Sequence, residues 1–358
     1  MSSETPALVA SQASTGDGAP AGESRPVRWG LWLHGVVPVP ELVALARRAE
    51  ERGAAALLLA DEGIDRDIYV ALTAIAGATD HIVLAPAITN PHSRHPVVTA
   101  AALGSLAEVA PGRVVAGLGA GGSLVFRPMG LRPRRPFSAL AEAVTVIDDL
   151  LAGKTVTHEG EFTVDGARLE WAPGRLPLAI AGRGPRVERL AGERGDWMVI
   201  SGKPVADVAG FARLLRADAA KAGRHPWIVW NPMVAWEAHH AHEVCTHLSY
   251  MSVDMPDEWR AKLGVSDQVV ANLREALAAE GPSGAARLVP AAVVGTFAIL
   301  GDRAGVVGRL REAVDQVRPD IVVFGAHEYT TAHVDEIAAV AEQVGAVRTA
   351  VPVLGQPW

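Results

Sequence analysis

Two histidines, two adjacent acids and two glycine-rich loops carry most of the chemistry available to this 358-residue chain. His34 closes one apolar run, and Asp61 and Glu62 follow another. A carboxyl and imidazole set at such positions can take up or release a proton near neutral pH. Asn90 and His92 follow a third run, which stops at Thr89-Asn90-Pro91 because proline removes a backbone donor and restricts the residue before it. A fourth run opens into GLGAGG, 117–122, whose glycines let the main chain approach a flat ligand with no Cβ in the way. A fifth ends at Ala181 and continues as Gly182-Arg183-Gly184-Pro185-Arg186. Pro185 suits the first turn of a helix, and the amides of that turn beside Arg183 or Arg186 make an anion site, with a phosphate as natural occupant.

Each of these has a plainer alternative. His34 and His92 can be packed or solvent-facing imidazoles, Asp61 can cap the turn that follows it, and Glu62 can be a solvated acid. Arg94 and His95 are better placed to hold their loop than to react. GLGAGG satisfies the dinucleotide spacing GxGxxG, yet the following SLVFRPMGLRPRRP does not open a helix directly, which argues against a doubly wound nucleotide fold. His239, His240, His242 and His247 have metal-like spacing. In an acidic helical stretch with no companion carboxylate pattern they read as a polar helix face, and no metal is expected. Trp29, Trp227, Trp230 and Trp236 read as core, whereas Trp32 stands near a strand end where it can meet a ring.

The elements that must position these residues repeat with one rhythm. Apolar runs at 27–33, 56–60, 82–88, 114–118, 178–181, 197–200, 227–235 and 321–325 alternate with helical patterns. Eight is the closing number of an α/β fold, the (β/α)8 TIM barrel, in which reactive groups lie just after the strands. The run AAALLLA, 54–60, lacks polar alternation, as a parallel strand covered on both faces should. In the first helix Leu42, Leu45, Ala46 and Ala49 share one face, Arg47, Arg48 and Glu51 take the other, and Gly53 ends it. Two insertions interrupt the alternation: a hairpin over 155–164 turning at Glu159-Gly160, and a mostly helical segment over 236–288 with breaks near Met255-Pro256 and Gly281-Pro282. The expected organisation is a flexible tail over 1–26, one barrel domain over 27–347 and a C-terminal tail over 348–358.

Composition narrows the partners. With 49% hydrophobic residues, 20% charged and a formal net charge of −7, the chain reads as an enzyme with a large core acting on a small molecule, and nucleic acid is not expected. The single cysteine, Cys245, excludes an internal disulfide and fits a reducing cytoplasm. The first residues carry neither a basic start nor an apolar core, so they do not read as a signal peptide. No stretch offers the roughly 18 uninterrupted apolar residues of a membrane span.

Three segments together resemble a known family. ITNPHSRHP at 88–96, GRVVAGLGAG at 112–121 and AGRGPRVERLAGERGDWMV at 181–199 resemble the luciferase-like monooxygenase superfamily. Within it they are similar to the branch that uses the deazaflavin coenzyme F420, of the methylenetetrahydromethanopterin reductase type. The resemblance runs over 27–202 and resumes around 294–342. It implies that Asp61 contacts the coenzyme ring, and that Ala87 and Ile88 form a bulge, often through a cis peptide, that backs the ring, with Asn90 in the same loop. It further implies that Gly119, Ala120 and Gly121 line the ring or its ribityl chain, and that Ala181, Gly182, Arg183, Gly184, Pro185 and Arg186 hold the phosphate. His34 and Glu62 are then the leading proton-handling groups, with Ser123 or water behind them. The implied reaction is reduction of a C=C or C=N bond, which takes one proton beside the hydride. Two departures count against a pterin substrate: Trp32 stands where those reductases carry a glutamate, and Gly122 where many relatives carry an acid. An FMN-dependent monooxygenase of the same superfamily and a catalytically silent cofactor-binding protein are the other readings. Homodimerisation is expected from family habit.

Overall fold

Short apolar strands without polar alternation must be covered on both faces, and here they line a barrel whose outer face is sheathed in helices. The computed structural model describes residues 26–182 and 184–348. Its barrel strands are β1 (Arg28–Leu33), β2 (Ala56–Leu59), β3 (Val83–Pro86), β4 (Ala116–Gly119), β5 (Leu178–Ala181), β6 (Trp197–Ser201), β7 (Trp227–Asn231) and β8 (Ile321–Gly325). All pair in parallel in the order β3-β2-β1-β8-β7-β6-β5-β4. The two ends of that order meet through parallel bridges of Leu84 with Val114 and Thr89 with Leu118, which close the ring. The eight apolar runs of the sequence are these eight strands, and the fold is the (β/α)8 barrel.

Alternate residues divide between two cores. Ala56, Leu58, Val83, Ala85, Val115, Ala179, Val199, Val229, Ile321 and Val323 fill the interior. Leu31, Leu33, Leu57, Leu59, Val322 and Phe324 belong to the larger core packed beneath the helices. The first helix, Val39–Glu51, buries Leu42, Leu45, Ala46 and Ala49 as its spacing predicts, and Gly53 follows it at φ +83°. Trp197 and Trp227, at the starts of β6 and β7, stack 6.3 Å apart with ring planes 16° from parallel, and the Arg28 guanidinium lies 5.1 Å from the Trp227 ring. This end of the barrel is plugged, so a ligand must enter at the other, where the strands end.

Three boundaries differ from expectation. The run 227–235 is two strands: β7 stops before Pro232, which has no N–H for the ladder, and Met233–Ala235 leaves the barrel to pair in parallel with Ala298–Leu300. The third and fourth runs are also shorter than their apolar stretches, with Val114 contributing only a bridge. A single helical turn, Ser123–Phe126, does follow Gly122, contrary to the reading that no helix opens there. The hairpin forms as expected from Val156–Glu159 and Thr163–Ala167. The insertion is helical at Ala238–Val253, Asp257–Lys262, Asp267–Ala279 and Gly281–Ala285, with its own apolar cluster of Val244, Leu248, Met251, Val270, Val293 and Phe297. Among the described residues no helix is long and apolar enough to cross a membrane. The tails expected over 1–26 and 348–358 lie outside the described residues apart from Pro26 and Arg348.

Candidate active site

The exits of β1, β2 and β3 bring the predicted acids and His34 to one mouth. His34 Nδ1 lies 3.6 Å from Glu62 Oε1, and both side chains are about three-quarters buried, at 28% and 26% exposure. Burial pushes the Glu62 carboxyl up to about 7, helped by the charges of Asp65 and Asp61. Burial also holds the His34 imidazole below its ordinary value, against the pull of Asp65. At neutral pH this is therefore a half-protonated acid beside a neutral imidazole. Asp61 is held from two sides: its Oδ2 accepts the Thr89 hydroxyl at 2.7 Å and its Oδ1 accepts the Gly63 N–H at 3.3 Å. Thr89 is fully buried, directly after a cis peptide between Ala87 and Ile88. Ile88 and Trp32 lie against the interior cluster that contains Ala87 and Ala181, and they make an apolar wall.

Other loop residues serve the loop itself. The Asn90 side-chain oxygen accepts the N–H groups of His92 and Ser93 at 3.0 and 2.9 Å, so its carbonyl end is committed to a turn. Arg94 pairs with Asp67 at 2.7 Å, and His95 caps the helix Pro96–Val109 by accepting the Val97 N–H. His92 sets its ring edge-on to Phe126 at 5.3 Å.

The glycines of the fourth and fifth exits divide into two kinds, and this corrects the sequence reading. A Cβ on Gly117 would sit 1.8 Å from the Pro86 carbonyl oxygen, and one on Gly119 1.8 Å from Ile88 Cδ1. These two positions are small so that β3 and its bulge can approach β4, rather than to admit a ligand. Gly121 takes φ +75° with the Phe126 ring 2.2 Å from its missing Cβ, and Gly182 is similarly filled by Val187. Around Gly122 and Gly184, by contrast, nothing among the described residues stands within 4 Å of a Cβ position. Half-buried Ala120 lies one residue before Gly121. The helix Pro185–Arg194 begins at Gly184 with Pro185 in its first turn and no side-chain cap, so its leading amides are available to an anion. Arg186 lies 4.0 Å over the Phe137 ring at that end, and Arg183 lies outside the described residues.

The insertion and the exit of β8 complete the mouth, and here the sequence reading missed residues. The Tyr329 hydroxyl accepts the His34 N–H at 2.9 Å, and burial pushes its own ionisation up to about 12, so it stays a phenol. His247 of the helix Ala238–Val253 sets its ring 6.0 Å from that of His34, with Tyr250 4.9 Å beyond. Ser123 donates its hydroxyl to Asp254 at 2.7 Å, which occupies one proposed proton source. His239 and His240 are no plain polar face: both reach Glu328, and His240 is buried at 1% exposure. The FGAHEY stretch at the last strand end, 324–329, was the available signal, since the rule that reactive groups follow strands applies to β8 as well.

A closed (β/α)8 barrel with a plugged base gathers its acids at the strand ends, where the open mouth lies. The chain belongs to the luciferase-like monooxygenase family, whose model matches residues 9–318. It is 34% identical over 190 residues to a 5,10-methylenetetrahydromethanopterin reductase of Methanolobus tindarius, covering 53% of this chain and 58% of the relative. It is also 34% identical over 200 residues to an F420-dependent glucose-6-phosphate dehydrogenase of Nakamurella multipartita, covering 51% and 59%. The chain thus spans a little over half the length of the curated relatives it matches. Among solved structures, the coenzyme F420-dependent tetrahydromethanopterin reductase of Methanopyrus kandleri superposes with a TM-score of 0.73 at 22% identity, over 87% of this chain and 97% of that one. An F420-dependent secondary alcohol dehydrogenase in complex with an F420-acetone adduct gives 0.69 at 19% identity, over 89% and 99%. Both share the fold.

Proposed function

We propose that this protein is a coenzyme F420-dependent oxidoreductase that reduces a C=C or C=N bond of a small molecule, with Glu62 as proton donor. The observation that carries the reading is a carboxyl poised near 7 beside His34 and next to a fixed Asp61 in one mouth. The F420 dependence of the Nakamurella relative supports the choice of coenzyme. The residues fit such a group: Gly122 and Gly184 follow two paired strands, and both leave open space among the described residues where a side chain would otherwise project. Trp32, Ile88 and Ala181 offer the ring an apolar wall, with Ala87 behind Ile88 and Ala120 at the next strand exit, while Gly119 and Gly121 serve by letting Ile88 and Phe126 pack close. The uncapped turn at Gly184 and Pro185, with Arg186 and Arg183, would take the phosphate.

When bound, the coenzyme supplies a hydride. Asp61, locked by Thr89 and Gly63, orients the ring. Glu62 is close to half protonated at neutral pH, where a general acid is most effective, and it delivers its proton into the mouth. His34 stays neutral and leaves the carboxyl free to cycle between its two forms. His247 and Tyr250 bring the insertion over the same opening and help to exclude water. With Trp32 in place of an acid on that wall, the substrate is one without the polar contacts of a pterin. The decisive experiment is a fluorescence titration of the purified protein with coenzyme F420 and, separately, FMN. Tighter binding of F420 is expected. Preference for FMN, with oxygen consumed on turnover, would move the assignment to a monooxygenase.

A further inference from the structure

Where the insertion meets the exit of β8, two adjacent histidines converge on a glutamate 88 residues away. We propose that His239, His240 and Glu328 bind one divalent transition-metal ion of the zinc, cobalt or nickel type, which pins the helix Ala238–Val253 to the β8 exit. The Nε2 atoms of both histidines reach the same Glu328 Oε1, at 2.6 and 3.0 Å. The three prospective ligand atoms lie within 4.8 Å of one another. Two imidazoles aimed at one carboxylate oxygen exceed what a surface ion pair requires. Two nitrogens and one carboxylate suit a borderline ion; magnesium and calcium prefer oxygen throughout.

The site is also held in place. His240 is wedged between the Trp236 edge at 6.1 Å, His333 at 4.7 Å and a stacked His327 at 4.9 Å. These neighbours have anchors of their own. The His327 ring bonds to the Val234 carbonyl at 2.7 Å, its backbone N–H donates to His333 Nε2 at 3.3 Å, and His333 Nδ1 lies 3.4 Å from Glu336. His240 Nδ1 is buried with no hydrogen-bond partner among the described residues, so Nε2 is the ring's polar anchor, and an ion there would leave the Nδ1 proton unpaired, a cost that the metal bonds must exceed. A ring that cannot swing is a preorganised ligand. His239 and Glu328 are exposed at 64% and 43%, so they can move from 2.6 Å apart to the ~3.3 Å that separates two ligands of one tetrahedral ion, and solvent completes the coordination. The next residue, Tyr329, carries the hydroxyl that holds His34, so the ion would steady one wall of the mouth.

The test uses untagged full-length protein, stripped with a chelator and titrated with Co2+ alone while its visible absorption is followed. Zn2+ is then added in competition. A single saturating equivalent of Co2+, displaced by Zn2+, is expected. Glu328→Gln and His239→Ala, both at exposed positions, should each weaken it by at least about tenfold. Absence of uptake by the unaltered protein, or uptake left unchanged by either substitution, overturns the proposal. None of these readouts depends on coenzyme or turnover.

Discussion

Replacing Glu62 with glutamine should make the protein more stable and less active, and the size of the gain is set by pH. Burial moves this carboxyl from 4.5 in the unfolded chain to about 7 in the native mouth. A raised carboxyl costs nothing below pH 4.5, where both states are protonated. Between pH 4.5 and about 7 the unfolded chain ionises freely while the native mouth holds its proton, so the penalty grows across that window and is complete above 7. The shift is equivalent to about 3 kcal/mol, and screening of a side chain that is 26% exposed trims it to about 2 kcal/mol. Glutamine cannot ionise, so Glu62→Gln should match the unaltered protein near pH 4.5 and exceed it by about 2 kcal/mol above pH 8. Urea unfolding of both proteins at several pH values reads this difference directly. Turnover by the variant should fall by roughly a hundredfold or more, the usual worth of a positioned acid, while coenzyme affinity stays intact. In the unaltered enzyme turnover should decline as pH rises through about 7, because the donor is then lost. A stability difference that does not change with pH would refute the reasoning, since it would mean that Glu62 ionises as freely in the mouth as in water.

Gly117→Ala should cost about 3 kcal/mol or more in unfolding experiments, because its Cβ would meet the Pro86 carbonyl at 1.8 Å, whereas Gly122→Ala should leave stability intact and weaken coenzyme binding. Asp61→Ala should weaken the coenzyme complex, while His34→Ala should lower turnover with affinity nearly unchanged; the reverse pattern would exchange their roles. Arg186→Ala should cost about 1.5–3 kcal/mol of coenzyme affinity, seen as a tenfold to hundredfold rise in Kd in the fluorescence titration.

The eight strands were legible because each is an unbroken apolar run, and the first helix because its buried residues keep the helical spacing. The seventh strand was read too long although Pro232 stood inside it, since apolar character on both sides outweighed one missing donor. The glycines of 117–122 show a deeper limit. The same residue type serves strand packing at Gly117 and open space at Gly122, and only the position of the third strand tells them apart. Asp61 and Glu62 could be found from the strand-end rule, but their division of labour could not. It rests on Thr89 holding one acid and on burial raising the other. The histidines at 239 and 240 looked solvated because their carboxylate partner is supplied by a residue 88 positions away, and sequence spacing carries no trace of that contact.

The small parallel pair of Met233–Ala235 with Ala298–Leu300 has an evolutionary consequence. Ala235, where the chain departs, and Ala298, where it returns, stand only about 8 Å apart, given the usual strand spacing and rise per residue. Everything between them is joined covalently to the barrel at one narrow base, and the side-chain contacts described above, His247 beside His34, Asp254 on Ser123, and His239 and His240 on Glu328, all fall at the mouth. Such a segment can be rewritten without breaking the ladder of eight strands, and the rewriting acts on the mouth itself. Descendants of one ancestral barrel could therefore reshape the mouth by rewriting this stretch of chain while inheriting the eight strands unchanged.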